Sequence, residues 1–103
     1  MSEIPAGSTL TVTIGRNVGT TPLEESMWDK FTARVLDVIA TVDPDLTFTY
    51  NGVGEWDGTR EDSRAIMAVN TKSVADIGAE LHRVAKEFGQ DAINLVTGVS
   101  ELV

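Results

Sequence analysis

The sequence predicts an α+β domain of the ferredoxin-like type, with two helices on one face of a four-stranded antiparallel sheet. Thr9 to Ile14 alternates strictly between threonine and apolar residues, which is typical of a half-buried strand. Two later segments repeat apolar residues every three or four positions, as amphipathic helices do. The segments follow in the order β-α-β-β-α-β, and right-handed crossovers would place the first and third strands at the centre.

The first helix has a predicted start and stop. Thr21 can cap it, Pro22 suits the first helical position, and Glu24 completes a capping box. An apolar stripe then continues to Val42, and the Asp-Pro-Asp segment at 43–45 ends the helix.

A long hairpin should follow the first helix. The outgoing strand begins at Leu46, and we expect a bulge at Asn51-Gly52 and the reversal at residues 57–60. The alternative is a tight hairpin that reverses at Asn51-Gly52. In the returning strand, the alternation predicts an inward face made of Ser63, Ala65, Met67 and Val69, with Arg64, Ile66 and Ala68 on the other face.

The C-terminal part predicts a second helix and a last strand. Ser73 would cap the helix, whose stripe runs from Val74 to Phe88, and Gly89 would end it. The last strand covers residues 92–97 and could continue past Gly98. Residues 1–8 are expected to be a flexible N-terminal tail, followed by a single domain over 9–103.

Composition excludes several classes of protein. The chain has 103 residues, 16 acidic against 8 basic, a net charge of −8 and no cysteine. Thiol chemistry and thiolate metal sites are therefore excluded, and the negative charge disfavours nucleic acid as a partner. No apolar run is long enough for a membrane span, and no residue spacing indicates a cofactor or a metal.

The loop after the first strand is the first candidate site. Arg16 and Asn17, with backbone N–H groups between Gly15 and Gly19, could bind an anion ahead of the helix. The glycine spacing matches neither a dinucleotide fingerprint nor a P-loop. The alternative is a turn in which Arg16 pairs with a nearby carboxylate.

The acidic hairpin tip is the second candidate site. Acids surround a tryptophan here, and such a cluster could contact a partner, perform acid–base chemistry or bind a hard cation. The calcium-loop pattern is absent, and the alternative is a solvated tip. The residues concerned are Glu55, Trp56, Asp57, Glu61 and Asp62.

The sheet face without helices is the third candidate, as a surface for a homodimer. Its expected residues are Thr9, Thr11, Thr13, Thr47, Thr49, Arg64, Ile66 and Ala68. His82 is the only histidine and is expected on the flank of the second helix. Neither Ser63 nor Ser100 has an adjacent histidine, so a hydrolase triad has no support and catalysis is not the favoured interpretation.

Several short motifs occur in a recognisable order. They are Ile14 to Asn17, Gly54-Glu55-Trp56, Glu61-Asp62-Ser63 and Phe88 to Ala92. In this order the chain resembles small uncharacterised proteins of actinobacteriophages, and it is similar to a bacterial ferredoxin-like family of unknown function. The resemblance covers roughly residues 9 to 97. It implies no reaction, but it suggests a phage setting.

Three functions remain open at this point. The favoured one is a phage-encoded accessory protein that binds a host or phage protein in the host cytoplasm. The second is a small-molecule enzyme or ligand binder of the dimeric α+β-barrel type. Its cavity mouth would be lined by Arg16, Asn17, Tyr50, Trp56 and Glu61. The third is a self-associating structural or assembly protein.

Overall fold

The computed structural model describes residues 4–56, 58–73 and 76–99. The elements are β1 Ser8–Gly15, β2 Asn17–Val18, β3 Thr21–Pro22, α1 Glu25–Ala40, β4 Leu46–Trp56, β5 Thr59–Val69, α2 Gly78–Glu87 and β6 Asn94–Val99. Four strands form one sheet in the order β4-β5-β1-β6, and every neighbouring pair is antiparallel. A short ribbon pairs β2 with β3.

The predicted fold class is confirmed, including the two central strands, β1 and β5. Alternation in β1 buries Leu10, Val12 and Ile14 completely or nearly so. The helices cover this face and add an aromatic centre, in which Phe31 stacks on Phe88 at 4.9 Å and meets Trp28 edge-on at 6.0 Å. Among the described residues, no helix has the length and apolar character needed to cross a membrane.

The predicted start of the first helix is wrong. Thr21 and Pro22 form β3, opposite Asn17 and Val18, and α1 begins only at Glu25. Leu23 N–H donates to Arg16 O at 2.9 Å, which holds this segment extended. The local capping preference is therefore overridden by pairing with β2, and the Glu24 N-cap makes no side-chain cap bond.

The second helix also begins later than predicted. Lys72 and Ser73 donate their N–H groups to Val42 O at 3.0 and 3.3 Å, so this segment is tied to the end of α1. Asp76 Oδ1 then accepts Gly78 N–H at 3.1 Å, just ahead of the first turn. Val74 lies outside the described residues.

The predicted inward face of the returning strand is wrong. Ile66 and Ala68 are fully buried, because β5 pairs Ile66 with Val12 and Ala68 with Leu10. Both phases of this strand carry apolar residues, so its alternation alone could not decide. These five residues were predicted on the open face, but the register places them on the helix-covered face of β4 and β5: Thr47, Thr49, Arg64, Ile66 and Ala68.

The hairpin reverses where the sequence predicts, but it contains no bulge. Pairing runs without interruption from Leu46 opposite Val69 to Trp56 opposite Thr59. Asn51 and Gly52 are ordinary members of this ladder, opposite Arg64 and Ser63. The described part of the reversal is Gly58, whose φ of 75° is a conformation that glycine adopts at no steric cost.

Residues 4–8 lie against the domain, in contrast to the predicted tail. Ile4 is 1% exposed and belongs to the core. Gly7 N–H donates to Thr71 O at 2.6 Å, and Thr71 N–H donates to Ser8 O at 3.0 Å. Residues 4–8 are therefore part of the domain, and residues 1–3 lie outside the described residues. The predicted extension of the last strand beyond Val99 lies outside the described residues.

An ion pair at the start of β4 predicts a small acid dependence of stability. Hydrogen bonds from Lys72, at 2.5 Å, and from Asn70 lower the pKa of Asp45 below its ordinary value of 3.8. A lowered folded-state pKa contributes stability above pH 3.8 that is lost as the pH falls through it. Asp45→Asn should therefore reduce the drop in urea midpoint between pH 5 and pH 2. An unchanged drop would contradict this assignment.

Candidate functional site

A cleft of about 370 Å³ opens on the helix side of the sheet, between the first turn of α1 and the β4–β5 hairpin. We call it the helix-side cleft. Its lining residues are Arg16, Glu25, Trp28, Asn51, Gly52, Val53, Asp62, Ser63 and Arg64.

Arg64 lines the helix-side cleft, and its guanidinium makes three side-chain hydrogen bonds there. Its Nε donates to Asn51 Oδ1 at 3.0 Å, and its Nη1 donates to Thr32 Oγ1 at 2.8 Å and to Asp29 Oδ1 at 3.1 Å. The guanidinium also lies 4.7 Å from the centre of the Trp28 ring. These contacts join the hairpin to α1, so we assign Arg64 a structural role in the cleft.

Arg16 also lines the helix-side cleft. Its backbone N–H donates to Asp62 O at 2.9 Å, and its Nε donates to Leu23 O at 2.7 Å. Its terminal nitrogens make longer ion pairs, at 3.3 Å to Glu25 and 3.7 Å to Asp62. The alternative prediction, in which Arg16 pairs with nearby carboxylates, is thus the one observed.

The other face of the sheet carries an exposed apolar surface. We call it the open face. Phe48 and Tyr50 lie side by side on it, with ring centres 6.3 Å apart and exposures of 41% and 52%. Their partners on β5 are Met67 and Ala65. Further large apolar residues exposed on this face are Leu46 and Val96.

Glu61 lies at the rim of the open face in a fixed position. Its Oε2 accepts the Asn17 backbone N–H at 2.8 Å. Its carboxylate occupies the space where a side chain on Gly15 would begin, since a Cβ there would lie 2.6 Å from Cδ and 2.7 Å from Oε2. The absence of a side chain at residue 15 therefore makes room for this carboxylate.

Gly15→Ala should displace the Glu61 carboxylate and break its bond to Asn17. A hydrogen bond to a charged group contributes about 1.5–3 kcal/mol at most, so we expect a loss of about 1 kcal/mol in this half-exposed position. The matched control is Gly52→Ala, because no atom lies within 4 Å of a Cβ there. Urea unfolding of both variants gives the difference, and equal stabilities would contradict the close approach.

The structure distributes the predicted site residues over two faces. Arg16 and Asp62 line the helix-side cleft, whereas Asn17 and Glu61 meet at the rim of the open face, which also carries Tyr50. Glu55 and Trp56 belong to the end of β4, opposite Arg60 and Thr59, and Asp57 lies outside the described residues.

Sequence reasoning missed Trp28 and Phe48 as site residues and placed Arg64 on the wrong face of the sheet. Phe48 had a visible signal, because it stands two positions before Tyr50 and therefore on the same strand face. Within the described ranges, no group of three or more histidine or acidic side chains is arranged to hold a metal. His82 is exposed and lines a smaller cavity of about 200 Å³ with Leu81 and Ile93.

Comparison with known proteins identifies likenesses of fold. No protein-family model matches the chain, and no curated protein matches it by sequence. Two solved structures do. A phage SAM lyase in complex with S-methyl-5′-thioadenosine has a TM-score of 0.60 and 15% identity, over 96% of this chain and 86% of that one. A phage SAM lyase in the apo state has a TM-score of 0.56 and 15% identity, over 95% and 93%.

These likenesses overturn the favoured prediction from the sequence. A protein-binding accessory role rested on the acidic composition, the absence of a catalytic motif and the resemblance to phage proteins, whereas the matching structures are SAM lyases. They favour the second prediction, a small-molecule enzyme on an α+β scaffold. At this level of identity, the fold is what the chain and the phage SAM lyases share.

Proposed function

We propose that this chain is a lyase that cleaves S-adenosylmethionine (SAM) and releases S-methyl-5′-thioadenosine (MTA). The observation that carries the proposal is the Glu61 carboxylate, which is fixed at the rim of an exposed aromatic face in a fold like that of phage SAM lyases. The ligand of the matching complex is MTA, which is the part of SAM left when the bond from sulfur to the amino-acid chain breaks.

The reaction needs neither water nor a proton from the enzyme. In SAM, the carboxylate oxygen can attack the γ-carbon of its own side chain and form a C–O bond. The bond between sulfur and that carbon breaks at the same time, and its electron pair returns to the sulfonium sulfur. The products are neutral MTA and homoserine lactone, which keeps its ammonium group.

Charge considerations assign Glu61 to the substrate ammonium. The positive charge on sulfur disappears during the reaction, so a carboxylate facing it would stabilise the substrate more than the transition state. The ammonium keeps its charge throughout. A carboxylate that binds it can therefore hold the amino-acid chain bent for attack without opposing the chemical step.

The exposed aromatic pair suits the other end of the substrate. Bases stack on aromatic side chains with a gain of about 1–3 kcal/mol. Phe48 and Tyr50 present such surfaces on the same sheet face as Glu61. Ala65, opposite Tyr50, lies four residues from Glu61, which corresponds to about 13 Å along a strand. This separation suits the adenine and the ammonium, which lie at the two ends of SAM.

The open face also supports the predicted self-association, which stays a proposal. Attack of a carboxylate on a sulfonium cancels two charges, so a site with little water favours it. A single copy leaves Phe48, Tyr50 and Met67 on an open sheet, whereas a second copy placed over this face would exclude water.

Phe48→Asp should therefore weaken self-association. Light scattering of the wild-type chain should give a multiple of the 11.1 kDa chain mass, and the variant should give the single-chain mass. Thr47→Asp is the control, since it places the same charge on the other face of β4. A wild-type monomer at high concentration, or equal effects of both variants, would contradict this surface.

The biological setting is part of the same proposal. The order of motifs that resembles actinobacteriophage proteins, together with the likeness to phage enzymes, supports a phage origin and action in the host cytoplasm. An enzyme there would deplete the host of SAM.

The test of the proposed function is SAM turnover by the purified chain. Mass spectrometry should detect MTA and homoserine lactone in equal amounts, with no added methyl acceptor. Adenosylhomocysteine as the product would indicate methyl transfer, and unreacted SAM at high enzyme concentration would contradict any lyase activity.

A further inference from the structure

The helix-side cleft holds charges of both signs that the proposed lyase site does not use. Arg16, Arg64, Glu25 and Asp62 all line it, on the opposite side of the sheet from Glu61. We propose that this cleft is a second ligand site, which binds the carboxylate and the ammonium of a free α-amino acid. The inference does not depend on the lyase activity.

Arg16 is the group available for the carboxylate. Its position is fixed by the protein backbone, through Nε to Leu23 O and through its own N–H to Asp62 O. The side chain is only 20% exposed, but its terminal nitrogens contact carboxylates no closer than 3.3 Å. A ligand carboxylate at ordinary hydrogen-bond distance would bind this guanidinium better than the present partners do.

Arg64 defines the cleft without competing for the ligand. Its guanidinium already bonds to Asn51, Thr32 and Asp29 and lies over Trp28. A ligand would have to break several of these contacts to use it. The cleft therefore offers one anion-binding group rather than two.

The acids that now face Arg16 are suited to the ammonium. Glu25 and Asp62 have side chains that are 71% and 57% exposed, so each can turn away from Arg16 at little cost. Once a ligand carboxylate takes Arg16, these two carboxylates lose their cation. A ligand ammonium would replace it.

The distances around Arg16 favour a zwitterion over a simple ion. An anion alone would leave Glu25 and Asp62 unpaired beside a third negative charge. A cation alone would bind these acids but would leave Arg16 without a carboxylate at ordinary hydrogen-bond distance. A ligand with both charges, two bonds apart as in an α-amino acid, provides a close partner for the arginine and for the acids.

The cleft volume and lining favour a small ligand with an apolar side chain. A volume of about 370 Å³ lies at the lower end of the range for small-molecule sites. Trp28 and the exposed Val53 provide apolar contact beside the charged groups. L-Leucine has these properties and is our probe.

The experiment is a calorimetric titration of the full chain with three matched probes. L-Leucine has both charges, L-leucinamide lacks the carboxylate, and N-acetyl-L-leucine lacks the ammonium. We expect saturable binding of L-leucine and at least tenfold weaker binding of the other two, since each of them lacks one of the two charge-assisted contacts. Absence of L-leucine binding, or equal binding of all three, would overturn the proposal.

Variants of the charged residues test whether L-leucine binds in the helix-side cleft. Arg16→Gln should weaken L-leucine binding at least tenfold, and so should the double variant E25Q/D62N, whose substituted side chains are largely exposed and so leave the fold intact. The control is Arg83→Gln, because Arg83 pairs with Glu80 on the exposed face of α2. If the double variant and the control bind L-leucine as the wild type does, the cleft is not the site.

Discussion

Replacing Glu61 with glutamine should lower kcat/KM for MTA release about tenfold to hundredfold. Glutamine keeps the size of the side chain but removes the charge that we assign to the substrate ammonium. A hydrogen bond between charged groups contributes about 1.5–3 kcal/mol, and each 1.4 kcal/mol corresponds to a factor of ten. The loss should be measured by mass spectrometry of MTA at several SAM concentrations.

Two further variants make this result specific. Glu61→Asp keeps the charge and should retain more activity than Glu61→Gln, although the shorter side chain loses the bond to Asn17 N–H. Glu80→Gln removes a carboxylate on the surface of α2 and should leave the rate unchanged. Equal rates for wild type and Glu61→Gln would exclude Glu61 from substrate binding.

Phe31→Ala should lower the free energy of unfolding by about 3–5 kcal/mol. Phe31 is fully buried, stacks on Phe88 and meets Trp28, so its truncation leaves a cavity between the two helices and the sheet. Domains of this size have about 5–15 kcal/mol of stability in total. Urea unfolding monitored by circular dichroism gives the value.

A residue on the same helix serves as the control for Phe31. Met27 is 38% exposed, and Met27→Ala should cost far less because it opens no enclosed cavity. Similar losses for the two variants would contradict the placement of Phe31 at the centre of the core.

The sequence was sufficient to predict the fold because its strongest patterns are local. Alternation in Thr9 to Ile14 has one apolar phase, and the stripe of Trp28, Phe31, Val35 and Ile39 has one buried face. Both patterns predict the same layer arrangement, with helices on one side of a sheet.

The faces of the hairpin depended on pairing between distant segments. In β5, both phases of the alternation are apolar, and only the register of Ile66 opposite Val12 shows which one is buried. If the strand is assigned one residue out of register, every side chain moves to the opposite face of the sheet. This exchange is why the threonines of β4 were expected on the open face, where Phe48 and Tyr50 lie instead.

The candidate site was predicted as a set of residues but not as an arrangement. Glu61, Tyr50 and Arg16 were each expected near one cavity mouth, whereas the structure separates Arg16 from the other two by the thickness of the sheet. Glu61 acquires its position from Asn17 N–H, 44 residues away in the chain, and from the space at Gly15. No local pattern contains either contact.

The central claim is that the open face binds the nucleoside product, and titration of the ¹⁵N-labelled chain with MTA tests it most directly. Saturable shifts are expected at the amide signals of Gly15, Asn17, Tyr50 and Ala65, on the face that carries Glu61. Shifts confined to Arg16, Trp28 and Asn51 would place the nucleoside in the helix-side cleft and contradict the claim. A spectrum unchanged by MTA would contradict it equally.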